Sequence, residues 1–256
     1  MRGLAGKKII VAGGATGIGA ATAERLAAEG VSVAIGDINA DGARATAQRI
    51  TDNGGTAVPI QFDFADESSI NNLVEKSIGE LGGLDGLFNV GADLSDATFG
   101  SDPNLLEMDA AVWKRTFEVN LIGYALSCKA VIPHLLEQGG GVIVNTSSGG
   151  ATNTTDSSPA YCASKAAIGA LTRHISATWG AKGIRCNAVA PGIVMTEKFL
   201  SSDTAGLIEY SKLFLKVPKL AEPADLAGVV AFLLSEDSSY VSGQVWSANG
   251  GWFFRE

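Results

Sequence analysis

The sequence predicts a doubly wound α/β fold, a mostly parallel seven-stranded sheet with helices on both faces, and three observations carry that expectation. Short runs rich in β-branched residues alternate along the chain with longer Ala-rich stretches of helical periodicity. Strands separated by helical segments of that length form parallel βαβ units, whose sheet is covered on both faces. A glycine-rich turn joins the first strand-like run to the first helical one. Finally, 256 residues with 46% hydrophobic content can bury a full core, as expected for a single domain spanning 1–256.

In chain order, KKIIVAG (7–13) reads as the first strand and 17–29 as its helix; VSVAIGD (31–37) is followed by helical 40–52. TAVPIQFD (56–63) precedes helical 67–81, and LDGLFNV (84–90) precedes a long helix over 110–138. GVIVNTSS (141–148) leads to helical 159–179, GIRCNAVAPG (183–192) to helical 223–234, and QVWSANGG (244–251) closes the sheet. Doubly wound sheets bind ligands beyond the C-terminal ends of their strands. Gly13, Asp37, Asp63, Asn89, Ser148 and Pro191 would all emerge there.

Composition narrows the function. The net charge of -8, with no basic block, repels a phosphate backbone, so nucleic acid is not an expected partner. No uninterrupted apolar run reaches the ~18 residues of a membrane span, and 1–6 carries no apolar signal core, so a cytoplasmic location is expected. Cys128, Cys162 and Cys186 form no Cys-x-x-Cys spacing, which argues against a disulfide framework or a zinc site. His134 and His174 stand on separate expected helices, and no metal is assigned.

Two motifs carry chemistry. In Gly13-Gly14-Ala15-Thr16-Gly17-Ile18-Gly19, glycines let backbone approach a pyrophosphate while the N–H groups and positive end of the following helix attract its charge. Asp37 then suits a ribose diol. Tyr161 and Lys165, one turn apart on the expected helix 159–179, share a face. A nearby cation favours phenolate, so Lys165 is expected to lower the pKa of Tyr161 and fit it to pass a proton to or from a hydroxyl. Ser148 would hold the substrate oxygen; Ser147 beside it would point away, because successive residues leaving a strand alternate sides.

Over essentially its whole length the sequence resembles the short-chain dehydrogenase/reductase family, in its compact ~250-residue NAD-dependent form. Gly13, Gly17 and Gly19 match the family's glycine motif, Asp63 its acid near the adenine, and Asn89-Val90-Gly91 its Asn-Ala-Gly element. Asn120 matches the asparagine of its proton relay, and Ser148, Tyr161 and Lys165 the other catalytic positions. Pro191, Gly192, Val194 and Thr196 resemble the segment against the nicotinamide carboxamide and phosphates. Ala12, Phe88 and Asn249 depart from the family's usual Thr, Asn and Asp.

The resemblance implies a Rossmann-like fold and hydride transfer between NAD and a secondary alcohol or ketone. Its catalytic residues would be Asn120, Ser148, Tyr161 and Lys165. The cofactor would be held by Gly13, Thr16, Gly17, Ile18, Gly19, Asp37, Ile38, Asp63, Phe64, Asn89, Gly91, Tyr161, Lys165, Pro191, Gly192, Val194 and Thr196. Asp37 would repel a 2′-phosphate and favour NAD over NADP. A non-catalytic NAD-binding sensor on the same fold is the rival, and the four intact catalytic positions weigh against it. Segments 93–103, 149–158 and 196–217 are expected to roof the pocket. The last, a lid rich in Phe and Leu, favours an alicyclic, aromatic or steroid-like alcohol. The apolar helix over 110–138 and the Tyr161 helix are the expected contacts of a homo-oligomer, a dimer or tetramer.

Overall fold

The computed structural model describes residues 1–153, 156–201 and 205–254. Seven strands form one sheet: β1 (Lys8–Ala12), β2 (Ser32–Asp37), β3 (Thr56–Gln61), β4 (Gly86–Asn89), β5 (Gly141–Thr146), β6 (Ile184–Pro191) and β7 (Val245–Ala248). Their order is β3-β2-β1-β4-β5-β6-β7, and every neighbouring pair is parallel. From β1 the chain winds one way through β2 to β3, then crosses back to β4 and winds outward to β7. The reversal between β1 and β4 leaves a crevice at the C-terminal edge, the place where such sheets take ligands.

Alternation along the strands fills both faces. Ile10, Ala12, Ala34, Leu87 and Ile143 point to one side, where α3 (Glu67–Leu81), α5 (Gly123–Glu137) and α6 (Pro159–Trp179) cover them. Ile9, Val11, Val33, Ile35 and Phe88 point to the other, under α1 (Gly17–Ala28), α2 (Ala40–Asp52) and α9 (Pro223–Leu234). Two-sided burial explains why these strands read as continuous apolar runs instead of alternating ones. Phe88, unusual beside the family motif, is a fully buried member of the second layer.

The expected single helix over 110–138 is helical but not uniform. It comprises α4 (Ala110–Phe117), a π turn at Glu118–Ile122, and α5, and the π turn carries Asn120. This stretch has the length and mean hydropathy, 1.3, of a membrane span, yet half of its apolar window is buried inside the fold. It is a core helix, packed on α3 and the sheet. After β6, α7 (Glu197–Leu200) and α8 (Ala205–Lys212) fall in the segment expected as a lid; residues 202–204 of that segment and 154–155 of the expected roof lie outside the described residues.

Candidate active site

The glycine turn opens a cleft of about 610 Å³ at the β1/β4 crevice. Two glycines there are required by close approach: a Cβ on Gly13 would sit 2.3 Å from the Gly91 nitrogen, and one on Gly19 1.9 Å from the Gly13 carbonyl oxygen. Thr16, preceding α1, makes no side-chain cap bond, and no acid lies in the first turn of that helix. By contrast Asn39, Asp66 and Asp109 cap α2, α3 and α4. The N–H groups that open α1 are thus left to the cleft, with the positive end of the helix dipole behind them.

At the rim, Asp37 accepts hydrogen bonds from the Ala15 N–H (3.0 Å) and the Asn39 N–H (2.9 Å). Its carboxylate is fixed in place before any ligand arrives. Asp63 accepts from the Ala65 N–H at 2.9 Å and also faces the cleft. An uncapped helix N-terminus for a pyrophosphate and a fixed carboxylate for a ribose diol fit a dinucleotide.

The second cluster lies where β5 ends. Ser147 and Ser148 diverge as strand alternation requires: the Ser147 hydroxyl donates to the Lys165 carbonyl (2.8 Å), whereas Ser148 pairs with the Tyr161 hydroxyl and accepts from the Gly150 N–H (3.1 Å). Tyr161 keeps part of its residue surface exposed, but burial of its hydroxyl end raises its pKa, and the Ser148 hydrogen bond opposes that rise. The ammonium of Lys165, one turn further along α6, is held separately. The Lys165 ammonium donates to the Thr146 carbonyl (3.1 Å) and lies 4.8 Å from the centroid of the Tyr124 ring. Burial pulls it from its usual 10.5 down to about 7.

Asn120 is fully buried on its π turn. Its side-chain oxygen accepts from the Asp93 N–H (3.1 Å), and its amide reaches toward the Ser164 hydroxyl at 3.5 Å. The Ser164 hydroxyl in turn donates to the Tyr161 carbonyl at 2.7 Å. Asn120, Ser148, Tyr161 and Lys165 therefore meet on one side of β5 and α6.

Of the residues expected to hold a cofactor, Gly13, Thr16, Gly17, Ile18, Gly19, Asp37, Ile38, Asp63, Phe64, Gly91 and Thr196 line the cleft. The structure does not bring Asn89, Tyr161, Lys165, Pro191, Gly192 and Val194 to that lining. Asn89 is buried behind it, with its amide on the Asn145 side-chain oxygen at 3.0 Å. Gly192 donates to the Ala248 carbonyl (3.2 Å), and Val194 bridges to Ala221, so this segment is taken up in joining β6 to β7 and to the approach to α9.

Asp93 and Lys198, inside the segments expected to roof the pocket, also line the cleft, as does Arg115, which sequence reasoning missed. Burial pushes the Asp93 carboxyl up, but hydrogen bonds from Ser95, Thr98 and Arg115 outweigh that and hold it below its ordinary value. The expected roof segment 93–103 contains Phe99, but its pairing with Tyr161 was not foreseen. Phe99 lies edge-on to the Tyr161 ring, with centroids 5.1 Å apart, and a Cβ on Gly149 would meet the Phe253 ring at 2.4 Å. Asn249, where the family usually has Asp, donates its amide to the Phe253 carbonyl (2.9 Å), a bond that a carboxylate could not make.

A family model described as Enoyl-(Acyl carrier protein) reductase matches residues 13–253. The cis-4-hydroxycyclohexanecarboxylate dehydrogenase of Sinomonas cyclohexanicum is 38% identical, covering 95% of this chain and 95% of its own. The 7alpha-hydroxysteroid dehydrogenase of Bacteroides fragilis is 35% identical, covering 96% of this chain and 93% of its own. A solved 7 alpha-hydroxysteroid dehydrogenase, complexed with NADH and 7-oxo glycochenodeoxycholic acid, superposes with a TM-score of 0.91 at 33% identity, covering 97% of this chain and 94% of that one.

Proposed function

This chain belongs to the short-chain dehydrogenase/reductase family of oxidoreductases, and from that premise we propose that it is an NAD-dependent dehydrogenase of apolar, ring-bearing secondary alcohols. The observation that carries the reading is the Ser148–Tyr161 hydroxyl pair, set beside a cleft with an uncapped helix N-terminus and a fixed Asp37. Bound NAD would supply the hydride acceptor for a carbinol, and its reduced form the donor for the reverse reaction. The N–H groups of the glycine turn would hold its pyrophosphate and Asp37 its adenosine ribose.

The residues move the proton. Tyr161 takes the hydroxyl proton as an alcohol becomes a ketone and returns it in reverse, while Ser148 orients the substrate oxygen. A cation in reach stabilises phenolate, and Lys165, held near 7 by burial, can carry or release that charge close to neutrality at small cost. Asn120 anchors the far side of the cluster through Asp93 and Ser164 and would carry the relay toward solvent.

The aromatic rings of Phe99 and Phe253 support an apolar ring as the substrate body. The named substrates of the two relatives share an alicyclic skeleton, and one carries a carboxylate. The ring, more than the absence of charge, is the common feature. We place the protein in the cytoplasm as a homo-oligomer acting as one catalytic unit over 1–256, with 196–217 as lid. Ile122, 51% exposed on the long helix, supports a contact between copies there.

The test follows the reduced-nicotinamide absorbance of the purified protein with NAD and a panel of alicyclic alcohols and hydroxysteroids. Turnover of ring alcohols that is lost in Tyr161→Phe is expected. Tight NAD binding with no turnover of any panel member would favour the sensor reading.

A further inference from the structure

Tyr161 occupies the first turn of α6, the part of a helix whose N–H groups have no acceptor within the helix and which frays first. Such a turn is ordinarily held by the residue just before it, in extended backbone, accepting through its side chain. Ser158 cannot do this: its φ of 59° is left-handed, and its side chain makes no cap bond. The acceptor comes instead from the loop after β4. The Asp102 carboxylate, 2% exposed, accepts from the Ala160 N–H (3.2 Å) and from the N–H of Tyr161 itself (2.9 Å). The Asp102 carbonyl accepts from the Ser158 N–H at 2.8 Å.

A second contact from the same loop falls on the same residue. Phe99, in the one-turn 3-10 helix Phe99–Ser101, meets the Tyr161 ring edge-on at 78° between ring planes. At its other end, the loop's Asp93 N–H is the donor to Asn120. One loop thus fixes the backbone of Tyr161, one face of its ring and the side chain of Asn120.

We propose that Asp102 is a positioning residue for catalysis: its carboxylate, buried against the first turn of α6, sets where the Tyr161 hydroxyl stands relative to Ser148. The proposal rests on the reading of Tyr161 as general acid/base. It differs from a stabilising cap in what it controls. A cap alone changes how much protein is folded. A positioning residue changes the turnover of each folded molecule, because a displacement of about 1 Å in a reacting group costs up to ~100-fold in rate.

The experiment compares Asp102→Ala and Asp102→Asn with the wild type, per folded molecule, in three readouts. These are kcat on whichever panel alcohol is turned over, the Kd for NADH, and amide hydrogen exchange at residues 160–162 with NADH bound. Asp102→Ala is expected to lower kcat at least ~10-fold, leave the Kd for NADH within about twofold because the glycine turn is untouched, and accelerate exchange at 160–162. Asp102→Asn, which keeps one acceptor oxygen, is expected to recover part of the kcat and of the protection. If Asp102→Ala does not fold, Asp102→Asn carries the same three readouts. A folded variant with wild-type kcat, or with kcat lowered while exchange at 160–162 is unchanged, overturns the proposal. Tyr161→Phe runs alongside: if it retains turnover, the acid/base reading falls, while exchange at 160–162 still decides whether Asp102 holds the turn.

Discussion

Replacing Lys165 by methionine should change how the stability of the free protein depends on pH, and the sign is fixed by the burial of that ammonium. In the folded chain Lys165 titrates at about 7, and unfolded it returns to its ordinary 10.5. Below the lower value both states hold the proton, and the folded protein bears the full cost of a buried charge. Between the two values the unfolded chain binds a proton that the folded chain does not, so stability rises with pH through that window. From about pH 6 to about pH 9, at ~1.4 kcal/mol per pH unit when the states differ by a whole proton, the gain is about 2–3 kcal/mol. Lys165→Met removes the titrating group and should lose this gain, while the pH response of the other groups cancels in the difference. Urea unfolding of both proteins at several pH values gives that difference by linear extrapolation. A difference that stays constant within about 0.5 kcal/mol, or that runs the other way, would refute the reasoning. In that case the ammonium would be solvated or paired, and not poised near neutrality.

Three further outcomes are expected. Tyr161→Phe should lower turnover by at least ~100-fold while leaving NADH affinity within about twofold, read by initial rates and fluorescence titration. The wild type should prefer NAD to NADP by at least ~100-fold in kcat/KM, and Asp37→Ala should erode that ratio; equal values in the wild type would remove the role given to Asp37. Gly19→Ala should abolish NADH binding, because its Cβ would stand 1.9 Å from the Gly13 carbonyl oxygen and the turn must open to admit it; calorimetry that finds unchanged affinity would show that the turn yields without harm.

The strands, the helix starts and the glycine turn were legible because their signals are local: β-branched runs, Ala-rich periodicity and glycines at a strand-to-helix junction are written in adjacent residues. Tyr161 and Lys165 were legible for the same reason, since helical spacing alone puts them one turn apart. Asp102 was not. It caps a helix that begins 57 residues further along, 159 less 102, and the local residue that sequence rules would credit with the cap, Ser158, has the wrong backbone for it. In the 191–194 segment, too, distant partners decide what adjacent residues do not. Its motif reads clearly, yet hydrogen bonds to the β7 end and the bridge to Ala221 decide where its backbone goes. How the Lys165 ammonium is held was not legible either, because spacing fixes which helix face a side chain shares but not which acceptor it finds, here the Thr146 carbonyl.

The π turn shows how a packing pattern can decide the geometry of a site. Along 110–137 the buried positions include Val112, Thr116, Asn120, Tyr124, Cys128 and Ile132, a strict repeat of four. In a straight α-helix of 3.6 residues per turn, about 100° per residue, a four-residue repeat drifts by about 40° at each step. Over five steps the stripe would wander by about 200°, and residues buried at one end would face solvent at the other. One extra residue in a single turn turns the second half back by about 100° and halves the drift. Just after the turn the helix runs close against the loop that follows β3: a Cβ on Gly123 would lie 2.5 Å from the Phe64 carbonyl oxygen. Asn120 therefore faces Asp93 and Ser164 while Tyr124, one step later, still lies beneath Lys165. In a uniform helix Asn120 and Tyr124 would still lie within about 40° of each other, so the irregularity matters across the whole stripe: it lets Val112 and Thr116 stay buried at one end and Cys128 and Ile132 at the other, with both site residues between them.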